Sequence, residues 1–80
     1  MKVNFKGELR NVVEKDYDFN GNKGKSYTVT VEVADGSYYM KTTKDVFEAY
    51  KLGNITKGQD CEFVADYSPQ FKSMKVVEVE

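Results

Sequence analysis

Apolar and polar side chains alternate along much of this chain, which is the pattern of half-buried β-strands. Every second residue is apolar or glycine at positions 3–9, 27–33 and 61–67. A strand that lies at the edge of a sheet exposes unpaired backbone groups, and closure of the sheet removes such edges. The alternation in a chain of only 80 residues therefore favours a small, closed β structure.

Turn residues divide the alternating stretches from one another. Asp35-Gly36 is typical of a tight hairpin, so we expect strands at 26–33 and 37–43 to pair across it. Residues 14–25 contain Asn-Gly and Lys-Gly-Lys and predict a long, mobile hairpin loop. The alternation slips at 11–13 and again near Met74, which predicts a bulge in the first strand and another in a last strand over 71–79.

The only good helical stretch is at residues 44–52, where Val46 and Tyr50 are four residues apart and share one face. Thr42 or Thr43 can cap its start. The resulting order is three strands, a short helix and two strands, which is the order of the OB fold. We predict an all-β, five-stranded OB-type Greek-key barrel with one short helix between strands 3 and 4, formed by residues 1–80 as a single domain.

The composition argues against catalysis and metal binding. The chain has no histidine and one cysteine, so it lacks the usual general base and cannot build a cysteine-rich zinc site. Asp16 begins a D-x-D-x-N-G run that resembles a calcium loop, but its twelfth position is Tyr27 rather than glutamate. We expect no enzyme activity, no catalytic residues, no metal and no cofactor.

The single cysteine also bears on the protein's environment. Cys61 is in phase with Phe63 and Ala65, so we expect a buried core thiol, and one cysteine cannot form an internal disulfide. A reducing, cytoplasmic setting is the expectation that follows. No run of about 18 apolar residues occurs, so we expect no membrane span.

Cations and aromatic rings are mixed around the predicted first loop. An exposed ring can stack on an unpaired base while a nearby lysine neutralises a phosphate. The candidate nucleic-acid-binding residues here are Lys15, Tyr17, Phe19, Lys23, Lys25 and Tyr27. The alternative for Tyr17 and Phe19 is that both rings fold back onto the barrel.

Two further candidate groups belong to the last hairpin and the third strand. Phe71 and Lys72 lie in the turn before the last strand, and in an OB fold the first and last hairpins flank the ligand face of strands 2 and 3. On the third strand we expect Tyr39 and Lys41 to point outwards. The alternative places Tyr39 in the core and Tyr38 outside.

Net charge is unevenly distributed along the chain. The total is −1, which by itself argues against a polyanionic partner. Residues 1–27 hold six basic and four acidic groups, a balance of +2, whereas residues 28–80 hold six basic and nine acidic groups, a balance of −3. A local basic surface on an acidic body is compatible with this distribution.

Three stretches resemble the filamentous-phage gene V family of single-stranded DNA-binding proteins. G-K-S-Y-T-V at 24–29 is similar to the family's G-K-P-Y-S-L, M-K-T-T at 40–43 to its V-K-I-T, and Q-F-K-S-M at 70–74 to its Q-F-G-S-L. The stretches occur in the same order at similar spacing. Tyr17 and Asn22 stand where the family places arginines, and Glu78 stands where it places a basic residue.

The resemblance implies an OB-fold homodimer that coats single-stranded DNA during DNA replication of a phage or mobile element. It implies phosphate contacts for Lys25 and Lys41, a groove position for Tyr27 and base stacking by Phe71. Our leading hypothesis is therefore a sequence-tolerant single-stranded DNA-binding protein. Two alternatives stay open: a protein–protein interaction module on the same barrel, and an RNA-binding protein.

Overall fold

Five strands close into a barrel in the computed structural model, which describes residues 1–80. In chain order the elements are β1 (Lys2–Phe19), β2 (Asn22–Val33), β3 (Gly36–Thr42), α1 (Lys44–Lys51), β4 (Asp60–Ser68) and β5 (Ser73–Val79). Around the barrel the order is β1-β2-β3-β5-β4, with β3 and β5 parallel and every other neighbour antiparallel. This OB-type arrangement confirms the predicted fold class.

β1 is long enough to pair with a different neighbouring strand along each of its halves. Its first half pairs with β4 from Lys2 to Glu8, and its second half pairs with β2 from Glu8 to Phe19. The predicted bulge is confirmed, because the β1–β2 register shifts between Leu9 and Asn11. Gly7 lies where β1 passes from pairing with β4 to pairing with β2. A Cβ at this position would lie 2.6 Å from a methyl carbon of Val31, so glycine allows β1 and β2 to approach closely.

The prediction of a long loop over residues 14–25 is wrong. The β1–β2 register continues to the pair Phe19 and Asn22, and only Asn20 and Gly21 form the turn. Both turn residues have positive φ, 52° and 78°, as a two-residue type I′ hairpin requires. The polar segment therefore forms a two-stranded extension of the barrel wall, which we call the ribbon (residues 14–25).

The last strand also differs from the prediction. β5 begins at Ser73 rather than at Phe71, because Lys72 adopts a left-handed turn conformation with φ of 51°. The irregularity in its pairing with β4 lies between Val76 and Glu78, not at Met74. The extra residue, Val77, lets Val76 and Val79 both face inwards.

The core lies inside the barrel and under α1. Ten apolar residues are buried there: Leu9, Val12, Val29, Val31, Val46, Ile55, Cys61, Phe63, Ala65 and Val76. Thr43 caps α1, since its side chain accepts a hydrogen bond from the backbone N–H of Val46. Buried Thr42 donates its hydroxyl proton to the carbonyl of Val76, which ties β3 to β5. No helix of the chain has the length and apolar character needed to cross a membrane.

Candidate nucleic-acid interface

Strand alternation gives the ribbon two chemically different faces. Directly paired residues share a face, so the pairs Lys15–Ser26, Tyr17–Gly24 and Phe19–Asn22 project on one side. The pairs between them, Glu14–Tyr27, Asp16–Lys25 and Asp18–Lys23, project on the other. All three carboxylates of the ribbon therefore lie on the second face, and the first face carries rings, amides, hydroxyls and Lys15.

The carboxylate-free side of the ribbon continues onto the barrel wall. On β2, buried Val29 and Val31 point inwards, so Thr28 and Thr30 point outwards and stand beside Lys41 and Tyr39 of β3. We call this continuous surface of β1, β2 and β3 the outer face. It presents the following side chains: Glu8, Asn11, Val13, Lys15, Tyr17 and Phe19 of β1; Asn22, Ser26, Thr28, Thr30 and Glu32 of β2; Ser37, Tyr39 and Lys41 of β3.

The prediction that Tyr39 and Lys41 point outwards is confirmed, and the alternative with Tyr39 in the core is wrong. Tyr39 is 77% exposed, and Lys41 is exposed and makes no ion pair. Tyr38 points towards the mouth of the barrel, and its hydroxyl donates to Asp35 at 2.9 Å. That hydrogen bond raises the pKa of the Tyr38 phenol.

The alternative that Tyr17 and Phe19 fold back onto the barrel is also wrong. Phe19 is 71% exposed at the tip of the ribbon. Tyr17 is half-exposed and lies across its partner Gly24, where a Cβ would collide with the ring. Glycine at this position holds the tyrosine ring flat along the ribbon, so one face of the ring is open to solvent.

The second ribbon face separates Lys23 and Lys25 from the outer face. Lys25 makes ion pairs with Glu14 at 3.1 Å and Asp16 at 3.2 Å. The contact with Lys25 lowers the pKa of Glu14, and the contacts with Glu14 and then Asp16 raise the pKa of Lys25. Lys25 therefore offers a phosphate less uncompensated charge than Lys15 or Lys41.

Tyr27 belongs to the same side as Lys25 and is held by the helix. Its ring packs against Phe47 of α1 with 5.3 Å between ring centroids, and Lys51 lies over that Phe47 ring at 5.6 Å. Burial, followed by the Glu14 carboxylate, raises the pKa of the Tyr27 phenol. One side of the Tyr27 ring is thus occupied by α1, which limits it to an edge or single-face contact with a ligand.

The β4–β5 turn carries the remaining candidates, Phe71 and Lys72. Phe71 is 74% exposed, and Lys72 is exposed without an ion pair. Met74, which follows the turn in β5, lines the same depression as Tyr38 and Tyr39 of β3. The turn therefore adjoins the Tyr39 end of the outer face, while the ribbon extends from the Lys41 end.

Replacement of Phe71 by alanine is expected to weaken binding of single strands by about 1–3 kcal/mol, the contribution of one stacked ring. Because this side chain has no core contact, the melting temperature should stay unchanged. Anisotropy titration and thermal melting of the same preparation test both statements. Loss of the folded state would instead show that the turn depends on the ring.

Carboxylates gather on the β4 side of the barrel and extend to the far end of the outer face. Exposed or half-exposed Asp60, Glu62 and Asp66 alternate along β4 with its buried positions. A depression of about 800 Å³ next to them is lined by Glu8, Glu32, Asp60 and Glu62, with Lys6 also present. The molecule is thus acidic on the β4 side, and most of the outer face carries no carboxylate. The two carboxylates at its far end, Glu8 and Glu32, lie 3.0 Å and 3.6 Å from Arg10.

The cysteine is a core residue, as predicted. Cys61 is buried, and its thiol lies 3.6 Å from the carbonyl oxygen of Gln59. Burial, with a smaller contribution from Asp60, raises the pKa of the thiol, so the neutral form predominates near pH 7. A protonated, buried thiol is a poor nucleophile.

One basic residue of this region was not predicted from the sequence. Lys75 is exposed on β5 and pairs directly with Lys41 of β3. Their proximity depends on the parallel β3–β5 contact, which joins residues 34 positions apart, and no local pattern marks it. Lys75 extends the cationic end of the outer face by one strand.

No protein-family model matches the sequence, and no curated protein matches it.

Proposed function

We propose that this protein binds single-stranded DNA on the outer face of β1, β2 and β3, without strong sequence preference. The observation that carries the proposal is the separation of charge by strand alternation. Lys15 and Lys41 share a surface with the exposed rings of Tyr17, Phe19 and Tyr39, while the ribbon carboxylates all project on the other side. This combination of rings and cations suits a polyanion with unpaired bases.

The exposed rings favour a single strand over a duplex. Bases in a duplex are already stacked on one another, so a ring gains little from them, whereas each base of a single strand has a free face. The outer face also lacks the carboxylate acceptors that would read base amino groups, apart from Glu8 and Glu32 at its far end, which both lie beside Arg10. Stacking and phosphate contacts therefore dominate, which makes the proposed binding tolerant of sequence.

The resemblance to the gene V family supports the same function. Of the DNA contacts that the resemblance implies, those of Lys41 and Phe71 lie on or beside the outer face. Those of Lys25 and Tyr27 lie on the face next to α1. We extend the proposal to a homodimer that acts in DNA replication of a phage or mobile element, as the resemblance implies. The dimer and its biological setting rest on the resemblance alone.

Fluorescence titration tests the proposed function directly. Oligothymidine is expected to quench tyrosine emission and to bind more tightly than the matching duplex, with an affinity that falls as salt is raised from about 20 to about 200 mM. A matched RNA strand in the same titration separates DNA from RNA binding. Absence of single-strand binding at the lower salt would overturn the proposal.

Lys41→Ala is expected to reduce the slope of log affinity against log salt by about 0.7, the value for one phosphate contact on a single strand. Lys57→Ala, in an exposed turn after α1, is the matched control and should leave the slope unchanged. Titrations at four or more salt concentrations give both slopes. Equal slopes for the Lys41 variant and the native protein would remove Lys41 from the interface.

A protein–protein interaction module is the second candidate, and the acidic depression favours it. Four carboxylates line that depression beside a single lysine, a composition suited to a basic peptide. A pull-down performed after nuclease treatment separates the two functions. Recovery of one protein that a Glu62→Gln variant no longer retains would support this candidate.

A further inference from the structure

Two lysines stand side by side where β3 meets β5. Lys41 and Lys75 form a directly paired position of the parallel ladder, and neither has a carboxylate within 4 Å. Like charges at paired positions of a sheet destabilise it. Asp66, the partner of Lys75 on β4, instead lies 3.3 Å from the backbone nitrogen of Met1. The arrangement leaves an unbalanced double positive charge at one point of the surface.

The two lysines line a depression of about 410 Å³ at the β3–α1 junction. Its lining consists of Lys25, Ser26, Tyr27, Lys41, Thr42, Thr43, Lys44 and Lys75, with no carboxylate among them. Two of these cations are already compensated, Lys25 by Glu14 and Asp16, and Lys44 by Glu48 at 3.8 Å. Lys41 and Lys75 supply the remaining charge, and α1 starts at the rim with its N-terminal N–H groups.

We propose that this depression binds the terminal phosphate monoester of a nucleic-acid strand, so that the protein prefers phosphorylated strand ends. The inference rests on the proposed function and names a ligand group for one end of that surface. Ser26 and Thr43 add hydroxyl groups that can donate to phosphate oxygens.

The balance of charge favours a terminal phosphate over an internal one. An internal phosphodiester carries a single negative charge, whereas a terminal monoester carries about −1.5 to −2 near pH 7. The monoester thus matches the two uncompensated lysines. Thr43 and Lys44, at the start of α1, also line the depression.

Three forms of one oligothymidine, about eight nucleotides long, test this inference: 5′-phosphorylated, 3′-phosphorylated and unphosphorylated. We expect one phosphorylated form to bind about three- to tenfold more tightly than the unphosphorylated strand, the gain from one or two charge-assisted contacts. The form that gains identifies which strand end occupies the depression. Equal binding of all three forms would overturn the inference and leave the proposed function intact.

Substitutions locate the preference within the molecule. Lys75→Gln should remove the preference for the phosphorylated end, while Lys57→Gln, in an exposed turn, should keep it. Retention of the full preference by Lys75→Gln would also overturn the inference.

Inorganic phosphate provides a readout that needs no strand. Phosphate should raise the melting temperature of the native protein more than chloride of equal ionic strength does, because it binds only the folded site. The difference should be smaller for the Lys75→Gln variant, because only the general stabilising effect of phosphate on folded proteins is left there. The same rise in both proteins would place the anion elsewhere and contradict the inference. Failure of every strand to bind would reject the proposed function together with the strand-end assignment, whatever the result with phosphate.

Discussion

Tyr39→Ala is expected to weaken binding of oligothymidine by about 1–3 kcal/mol, which is about five- to 150-fold in Kd. Tyr39 is 77% exposed at the centre of the third strand, beside Thr30, and supports no part of the core. The melting temperature should therefore match that of the native protein. Anisotropy titrations at one fixed salt concentration measure the change.

Leu52→Ala is the matched control for the loss of an exposed apolar side chain. Leu52 is 78% exposed at the end of α1, outside the outer face, so its removal should change neither affinity nor stability. If Tyr39→Ala binds oligothymidine as tightly as Leu52→Ala and the native protein do, strands do not stack on β3 and the proposed interface is wrong. Tyr39→Phe should restore most of the affinity, because stacking needs the ring rather than the hydroxyl group.

Phe63→Ala is expected to lower the free energy of unfolding by about 3–5 kcal/mol, the usual cost of removing a buried aromatic ring. Phe63 is fully buried on β4 and stacks against Phe5 with 5.2 Å between centroids. A domain of this size has a total stability of only about 4–12 kcal/mol. A large share of the variant should therefore be unfolded at moderate temperature.

Urea denaturation followed by far-ultraviolet circular dichroism measures the loss. Phe71→Ala is the control, since it makes the same chemical change at an exposed position and should leave the midpoint unchanged. A Phe63 variant with native stability would mean that Phe5 and its neighbours close the gap. That result would contradict the position of Phe63 in the core of the barrel.

Much of the barrel could be predicted from hydrophobic periodicity. Val29 and Val31 are buried at alternate positions, and the slip of phase at 11–13 marks a real bulge, which lies one residue earlier, between Leu9 and Asn11. The same alternation placed Tyr39 and Lys41 on one side of the third strand and Tyr38 on the other, but it left open which side faces outwards. These features depend on local alternation, which a sequence records directly.

The ribbon shows where local reasoning fails. Its residues are polar and rich in glycine, lysine and asparagine, so they lack the apolar alternation that marks a half-buried strand. Pairing continues there because the two-residue turn at Asn20 and Gly21 sets the register and neither face needs to be buried. The prediction of a mobile loop treated every glycine as a turn, whereas Gly24 provides space for the ring of Tyr17.

The cationic depression could not be predicted for a different reason. Lys25, Lys41, Lys44 and Lys75 belong to three strands and a helix, and only closure of the barrel brings them together. Each is an ordinary surface lysine in the sequence. The depression depends on the parallel pairing of β3 with β5, and that pairing covers only two residue pairs.

The two-stranded extension formed by residues 14–25 has a kinetic consequence. Isolated two-stranded hairpins are marginally stable in water, so this segment is expected to open without unfolding the barrel. Its amide hydrogens should exchange with solvent much faster than those of Leu9 or Val31, which are released only by global unfolding. A bound strand that spans Tyr17 and Tyr39 would couple the segment to the barrel wall, and the slowing of exchange there would report occupancy residue by residue.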